Sequence, residues 1–171
     1  MIDIPRKAGR QGGFTLIELV SVIVILGILA ATVLPRYARL AGDARAEHLR
    51  AARSALASTA SLVRARAMID NTMSTGTLLL EGRGVYVQHG YPAAGNIVEA
   101  RAFAAAAGLG TGLGQNDDYR ISFEHGGLTV APNKVSAANR AACAITYIGA
   151  AGPSQPPVHV EHTRDGSFAC D

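Results

Sequence analysis

The sequence contains no tryptophan, and aromatic residues make up only 5% of it. Any core must therefore be filled mainly by aliphatic and alanine side chains. Charged residues reach only 17%, against 49% hydrophobic, which excludes a disordered chain. Cysteine is nearly absent. Cys143 and Cys170 are the only two, with no CxxC spacing, so they cannot form a zinc site by themselves. A strong excess of one charge sign is missing too. The formal charge is +3, and much of it comes from Arg6, Lys7 and Arg10 set against Asp3. Without residues 1–13, 13 basic side chains face 12 acidic ones. The pI of about 9.1 mostly reports that first segment. No nucleic-acid partner is expected from such a balance.

Long hydrophobic runs are absent except at one place. Residues 14–34 (FTLIELVSVIVILGILAATVL) are 21 residues with a single charge, Glu18. As a helix rising about 1.5 Å per residue they would span about 30 Å, the thickness of a bilayer core. The preceding basic residues would hold the N-terminus in the cytoplasm and send the rest outward. A cleaved secretory signal needs a shorter apolar stretch ending in a small residue. Ala30 or Ala31 would serve, but the run continues past them. A plain signal anchor fits the length and leaves Glu18 unexplained, since a carboxylate within lipid calls for a partner or a snorkelling position. If the C-terminal part is exported, one disulfide between Cys143 and Cys170 is the natural reading.

The segment Gly12-Gly13-Phe14-Thr15-Leu16-Ile17-Glu18 resembles the processing site of type IV prepilins and type II secretion pseudopilins. The resemblance implies that residues 1–13 are a leader, removed by a membrane prepilin peptidase/methyltransferase that cuts between Gly13 and Phe14 and N-methylates Phe14. It implies that Glu18, one helical turn after the new amine, pairs with such an amine and sets the register between subunits. An ion pair lowers the cost of both charges in lipid. Residues 14–35 then form the hydrophobic transmembrane and assembly helix. Gly27 and Pro35 fall at positions where these pilins carry helix-weakening residues, costing about 1 and about 3 kcal/mol in a helix interior. In a filament they would allow local unwinding, and the plainer reading of Pro35 is a kink at the bilayer edge.

Residues 36–68 continue as an amphipathic helix. Leu49, Leu56 and Val63 recur every seven residues, with Ala52, Ala60 and Ala67 on the same stripe. Arg45, Glu47, Arg50, Arg53, Arg64 and Arg66 are read as a solvated face, with inter-subunit salt bridges as the functional alternative. Residues 69–171 complete a globular head with 36–68. Strands are expected at 77–81 and 85–88 around Gly82-Arg83-Gly84, and a turn at residues 89–92. Asn96 with Glu99 has the shape of a helix cap before the alanine-rich residues 100–107. Glycines break structure over 108–114. Residues 119–125 and 128–131 read as a hairpin around Gly126-Gly127, with further strands at 141–148 and 158–162 and a turn at Asp165-Gly166. The order predicts an α+β fold, a type IV pilin fold with a C-terminal antiparallel sheet packed on the outer half of a long helix.

Three short segments resemble mannose-sensitive haemagglutinin-type pilins in particular: Gly42-Asp43-Ala44-Arg45, Gly90-Tyr91-Pro92, and Cys143 followed by Tyr147. The implied function is a structural pilus subunit for adhesion or surface motility. It would sit in the inner membrane by a single span before assembly and in an extracellular pilus afterwards. Its partners would be the peptidase, identical or related pilin subunits and an inner-membrane assembly platform. A type II secretion pseudopilin is the alternative, and a signal-anchored periplasmic binding protein or enzyme the third. The major pseudopilin of that family usually relies on calcium instead of a C-terminal disulfide, and Asn116-Asp117-Asp118 is too small a cluster for calcium alone. His159, Glu161 and His162 lack a further ligand for a metal site. Residues 108–112 are rich in glycine but follow a helix and lack the P-loop lysine. No Ser-His-Asp order or paired catalytic carboxylates are present, so no enzymatic activity and no cofactor are expected.

Overall fold

The computed structural model describes residues 14–111 and 118–171. The expected leader, with Gly13 of the cleavage pair, lies outside them, as does part of the glycine-rich loop and of the Asn116–Asp118 cluster. The chain divides into two compact units, one ending at Ala38 and one covering Arg39–Asp171. Helix α1, Leu16–Ile69, contributes to both.

In the first unit every side chain described is exposed. The polar residues among the apolar ones turn back on the helix. The Ser21 hydroxyl donates to the Glu18 carbonyl and the Thr32 hydroxyl to the Leu29 carbonyl, each at 2.9 Å. Neither hydroxyl then needs water, which suits a helix in lipid.

In the second unit the helix stripe is buried throughout. Leu49, Leu56, Val63 and Ala67 are fully enclosed, with Ala52 and Ala60 nearly so. The stripe serves two sheets. The first is β1 (Thr75–Leu80), β2 (Arg83–Gln88) and β3 (Tyr91–Pro92), antiparallel in that order. Val63 and Ala67 pack on Leu78, Val85 and Val87 of this sheet. The second is β4 (Tyr119–Glu124), β5 (Gly127–Pro132), β6 (Ala144–Ile148) and β7 (Val158–His162), also an antiparallel meander. Leu49 and Leu56 join Ile121, Leu128, Val130 and Tyr147 in its core. The expectation of one sheet is thus corrected to two. Tyr91–Pro92 is a two-residue strand and not only part of a turn. Proline brings no N–H to extend the ladder, and a helix follows.

That helix, α2 (Ile97–Ala106), starts where Asn96 caps it. The Asn96 side chain accepts from the Val98 and Glu99 N–H groups at 2.9 and 3.0 Å, while Glu99 accepts from the Gly95 N–H at 2.7 Å. It ends in a Schellman arrangement. Leu109 N–H donates to the Ala104 carbonyl and Gly108 N–H to that of Ala105, with Leu109 buried beneath. Gly108 is therefore a helix stop. The hairpin turns have an Xaa-Gly pair with both φ positive, as at His125-Gly126 (φ 55° and 76°), which is the type I′ requirement. The β4–β5 turn lies one residue earlier than Gly126-Gly127, because Gly127 pairs with Glu124 in the ladder. Residues 140–142 form a short 3-10 turn instead of the start of β6.

Candidate functional site

The N-terminal end of α1 carries the residues expected for processing and assembly. Phe14 is 85% exposed, two residues before the helix begins at Leu16. Glu18 is held by Thr15 in a reciprocal cap. The Thr15 N–H and hydroxyl donate to the Glu18 carboxylate at 3.1 and 2.9 Å, and the Glu18 N–H returns to the Thr15 hydroxyl at 3.3 Å. Thr15 is thus more than a member of the Gly12–Glu18 segment, and the signal for its role is the capping-box pattern Thr-x-x-Glu. Within this chain, then, the Glu18 carboxylate is engaged by its own helix end. Gly27 and Pro35 both lie inside α1, and an added methyl at Gly27 would meet nothing within 4 Å. Leu16–Leu34 is the one stretch among the described residues that is helical, long and apolar enough to cross a membrane, and none of it is buried.

Cys143 and Cys170 are joined in a disulfide with Cα atoms 5.2 Å apart, and both are fully buried in the core of the head. Around this bond the short segments singled out in the sequence find structural partners. Arg45 donates to the Cys170 carbonyl at 2.8 Å. Gly42 lies where a Cβ would meet the Asp171 carboxylate at 3.1 Å, so the helix accepts the last residues closely at this glycine. Tyr147, fully buried, packs on Phe103 at 4.7 Å between ring centres and donates to the Pro92 carbonyl at 2.9 Å. Burial, and next the nearby Tyr91, push its phenol up, so it stays a neutral donor.

The arginine face of α1 is not simply solvated. Arg53 pairs with Glu161 of β7 at 3.0 Å, and Arg64 stacks over the Tyr91 ring at 4.4 Å. They tie the helix to the two sheets of its own head, and Arg45 ties it to the C-terminal segment. Arg66 pairs along the helix with Asp70, and Arg50 with Glu47. The His159–Glu161–His162 trio is likewise divided. His159 lies edge-on to Tyr147, Glu161 takes Arg53, and His162 bonds Thr146. Among the described residues no group of three His, Cys, Asp or Glu side chains could hold a metal ion.

With this geometry in place, residues 9–34 match the model of the prokaryotic N-terminal methylation motif. The match supports a type IV pilin-like, prepilin-type chain, and the motif coincides with the uncovered apolar helix. The apolar helix, the second helix and the antiparallel sheets make an α+β arrangement consistent with the pilin fold. Motif and helix together suit membrane anchoring, processing by a prepilin peptidase and pilin-type assembly in general. Searches of curated proteins and of solved structures return no match to this chain.

Proposed function

We propose that this chain is the precursor of a structural type IV pilus subunit, akin to mannose-sensitive haemagglutinin-type pilins, and not an enzyme. It is cut between Gly13 and Phe14, methylated on Phe14, and polymerised through packing of its apolar helices in a filament core. The head faces outward for adhesion or surface motility. The observation that carries this reading is the coincidence of the methylation motif with an apolar helix left wholly uncovered. Such a surface is not stable in water and needs lipid first and neighbouring helices afterwards. The buried disulfide favours a pilin over the major secretion pseudopilin. The narrower likeness rests on Gly42, Arg45, Pro92 and Tyr147, whose contacts all serve the folding of one head.

The test is mass spectrometry of the mature chain from its native cell. A first residue of N-methylated phenylalanine at position 14 is expected, and any other N-terminus sinks the prepilin reading. Recovery of the chain in sheared surface filaments is expected as well, and recovery only with a secretion apparatus favours the pseudopilin.

A further inference from the structure

The four-stranded sheet has a second face, opposite the one packed on α1. Side chains alternate along a strand, so Ile121, Leu128, Val130 and Tyr147 point into the core. Residues of the other parity, joined by Ile121, Arg101 and the turn at 140–141, line a cleft of about 640 Å³, within the range of small-molecule sites. Its floor is short: Thr129, Ala131 and Ala144 are all buried there. Its walls are cationic. Arg101 from α2, Arg120 from β4 and Arg140 from the 3-10 turn all reach it, with Glu124 the one carboxylate among the described lining residues.

None of these three guanidinium groups has an ion-pair or hydrogen-bond partner among the described residues, whereas Arg45, Arg50, Arg53 and Arg66 all do. The Nε of Arg101 is buried with no hydrogen-bond partner at all. Three unpaired cations gathered at one concavity repel each other, and an anion relieves that repulsion.

A fixed polar relay ends at the same place. The Thr129 hydroxyl donates to the Glu124 carbonyl at 3.2 Å, so it must accept from Thr146 at 2.8 Å. The Thr146 hydroxyl, having given its only proton, must accept from His162 Nε2 at 2.8 Å. This chain of donors places the neutral imidazole's proton on Nε2 and leaves Nδ1 to titrate. His125 stacks on the His162 ring at 4.6 Å.

We propose that this cleft binds the oxyanion group of a small anionic ligand, a carboxylate, sulfate or phosphate, through Arg101, Arg120 and Arg140. The planar forks of the three guanidiniums suit such a group. The volume leaves room for a hydroxylated carrier about the size of a sugar, with Ser122 and the imidazoles as polar contacts. Every group in this site belongs to the Arg39–Asp171 unit.

The experiment uses the full chain in uncharged detergent micelles at physiological salt. Inorganic phosphate and D-glucuronate are titrated by calorimetry and by NMR of the histidine side chains, with D-glucose as the neutral control. Saturable binding of an anion, with no response to glucose, is expected. Arg120→Gln and Arg140→Gln should each weaken it about tenfold, the size of one charge-assisted contact. Glu124→Gln should strengthen it, and all three variants should melt like the parent. The bound anion should also raise the pH at which His162 titrates, which a merely structural cleft would not do. Tighter binding of phosphate identifies a compact oxyanion, and tighter binding of glucuronate a carboxylated carrier. No saturable anion binding, or equal affinity in well-folded Arg120→Gln and Arg140→Gln chains, overturns the proposal.

Discussion

The Tyr147 hydroxyl donates to the Pro92 carbonyl at 2.9 Å, linking β6 of one sheet to β3 of the other across 55 residues of chain. Both residues are buried, and Gly149 passes 3.5 Å from the same carbonyl oxygen, as measured from the Cβ it would carry. Tyr147→Phe keeps the ring stacked on Phe103 and strands that carbonyl. A loss of about 1–3 kcal/mol is expected in urea denaturation of the head. An unchanged midpoint would mean that Pro92 has found another donor.

The disulfide joins residues 27 apart in sequence. In the chain-entropy account its removal costs about 3–4 kcal/mol. Comparing oxidised and reduced protein by denaturant titration measures this. The double variant Cys143→Ala/Cys170→Ala should be somewhat less stable than the reduced form, because it also deletes two sulfurs buried in the apolar core.

Two arginines of α1 should separate by their response to salt. Arg53 and Glu161 are 51% and 38% exposed. A double-mutant cycle is expected to give about 0.2–1 kcal/mol, shrinking as salt is added. Arg45 donates to the Cys170 carbonyl in a partly buried setting. Arg45→Ala should cost about 1.5–3 kcal/mol with little salt dependence.

Acid should destabilise the head through two histidines. Burial, then Arg53, holds His159 below its ordinary value of 6.5. Burial, then His125, does the same for His162 against the opposing pull of Glu124. Groups depressed in the folded state bind more protons when unfolded. Stability should therefore be level above about pH 7 and fall as the pH drops below 6.5 towards the folded values. Tm measured between pH 8 and pH 5 checks this, and His159→Asn should flatten the curve.

On the pilin reading, Glu18 exchanges its Thr15 contacts for a neighbouring Phe14 amine when the filament forms. Glu18→Ala should then be cleaved and methylated but fail to enter filaments. Normal incorporation, scored by immunoblot of sheared surface fractions, would count against that role.

Much of the fold was legible because it depends on near neighbours along the chain. The stripe of Leu49, Leu56 and Val63 has a helical period, and all three are buried. Asn96 and Glu99 cap α2 because the cap needs only four consecutive residues. The same logic applied to Thr15 and Glu18 would have found the first cap. The β4–β5 turn moved by one residue because two Xaa-Gly pairs overlap there, and only the pairing of Glu124 with Gly127 selects between them. Glu47, Arg50, Arg53 and Arg66 are exposed as a solvated face would be, but nothing local says that Glu161 and the Cys170 carbonyl will come to meet Arg53 and Arg45.

The sequence by itself determined the apolar helix, its methylation motif and the amphipathic stripe, since hydrophobicity, charge order and helical period are written in contiguous residues. Only the tertiary structure decided that the strands form two sheets, that Tyr147 reaches Pro92, and that Arg101, Arg120 and Arg140 surround one cleft. Those relationships join residues 19 to 55 positions apart, and long-range packing, not local preference, brings them together.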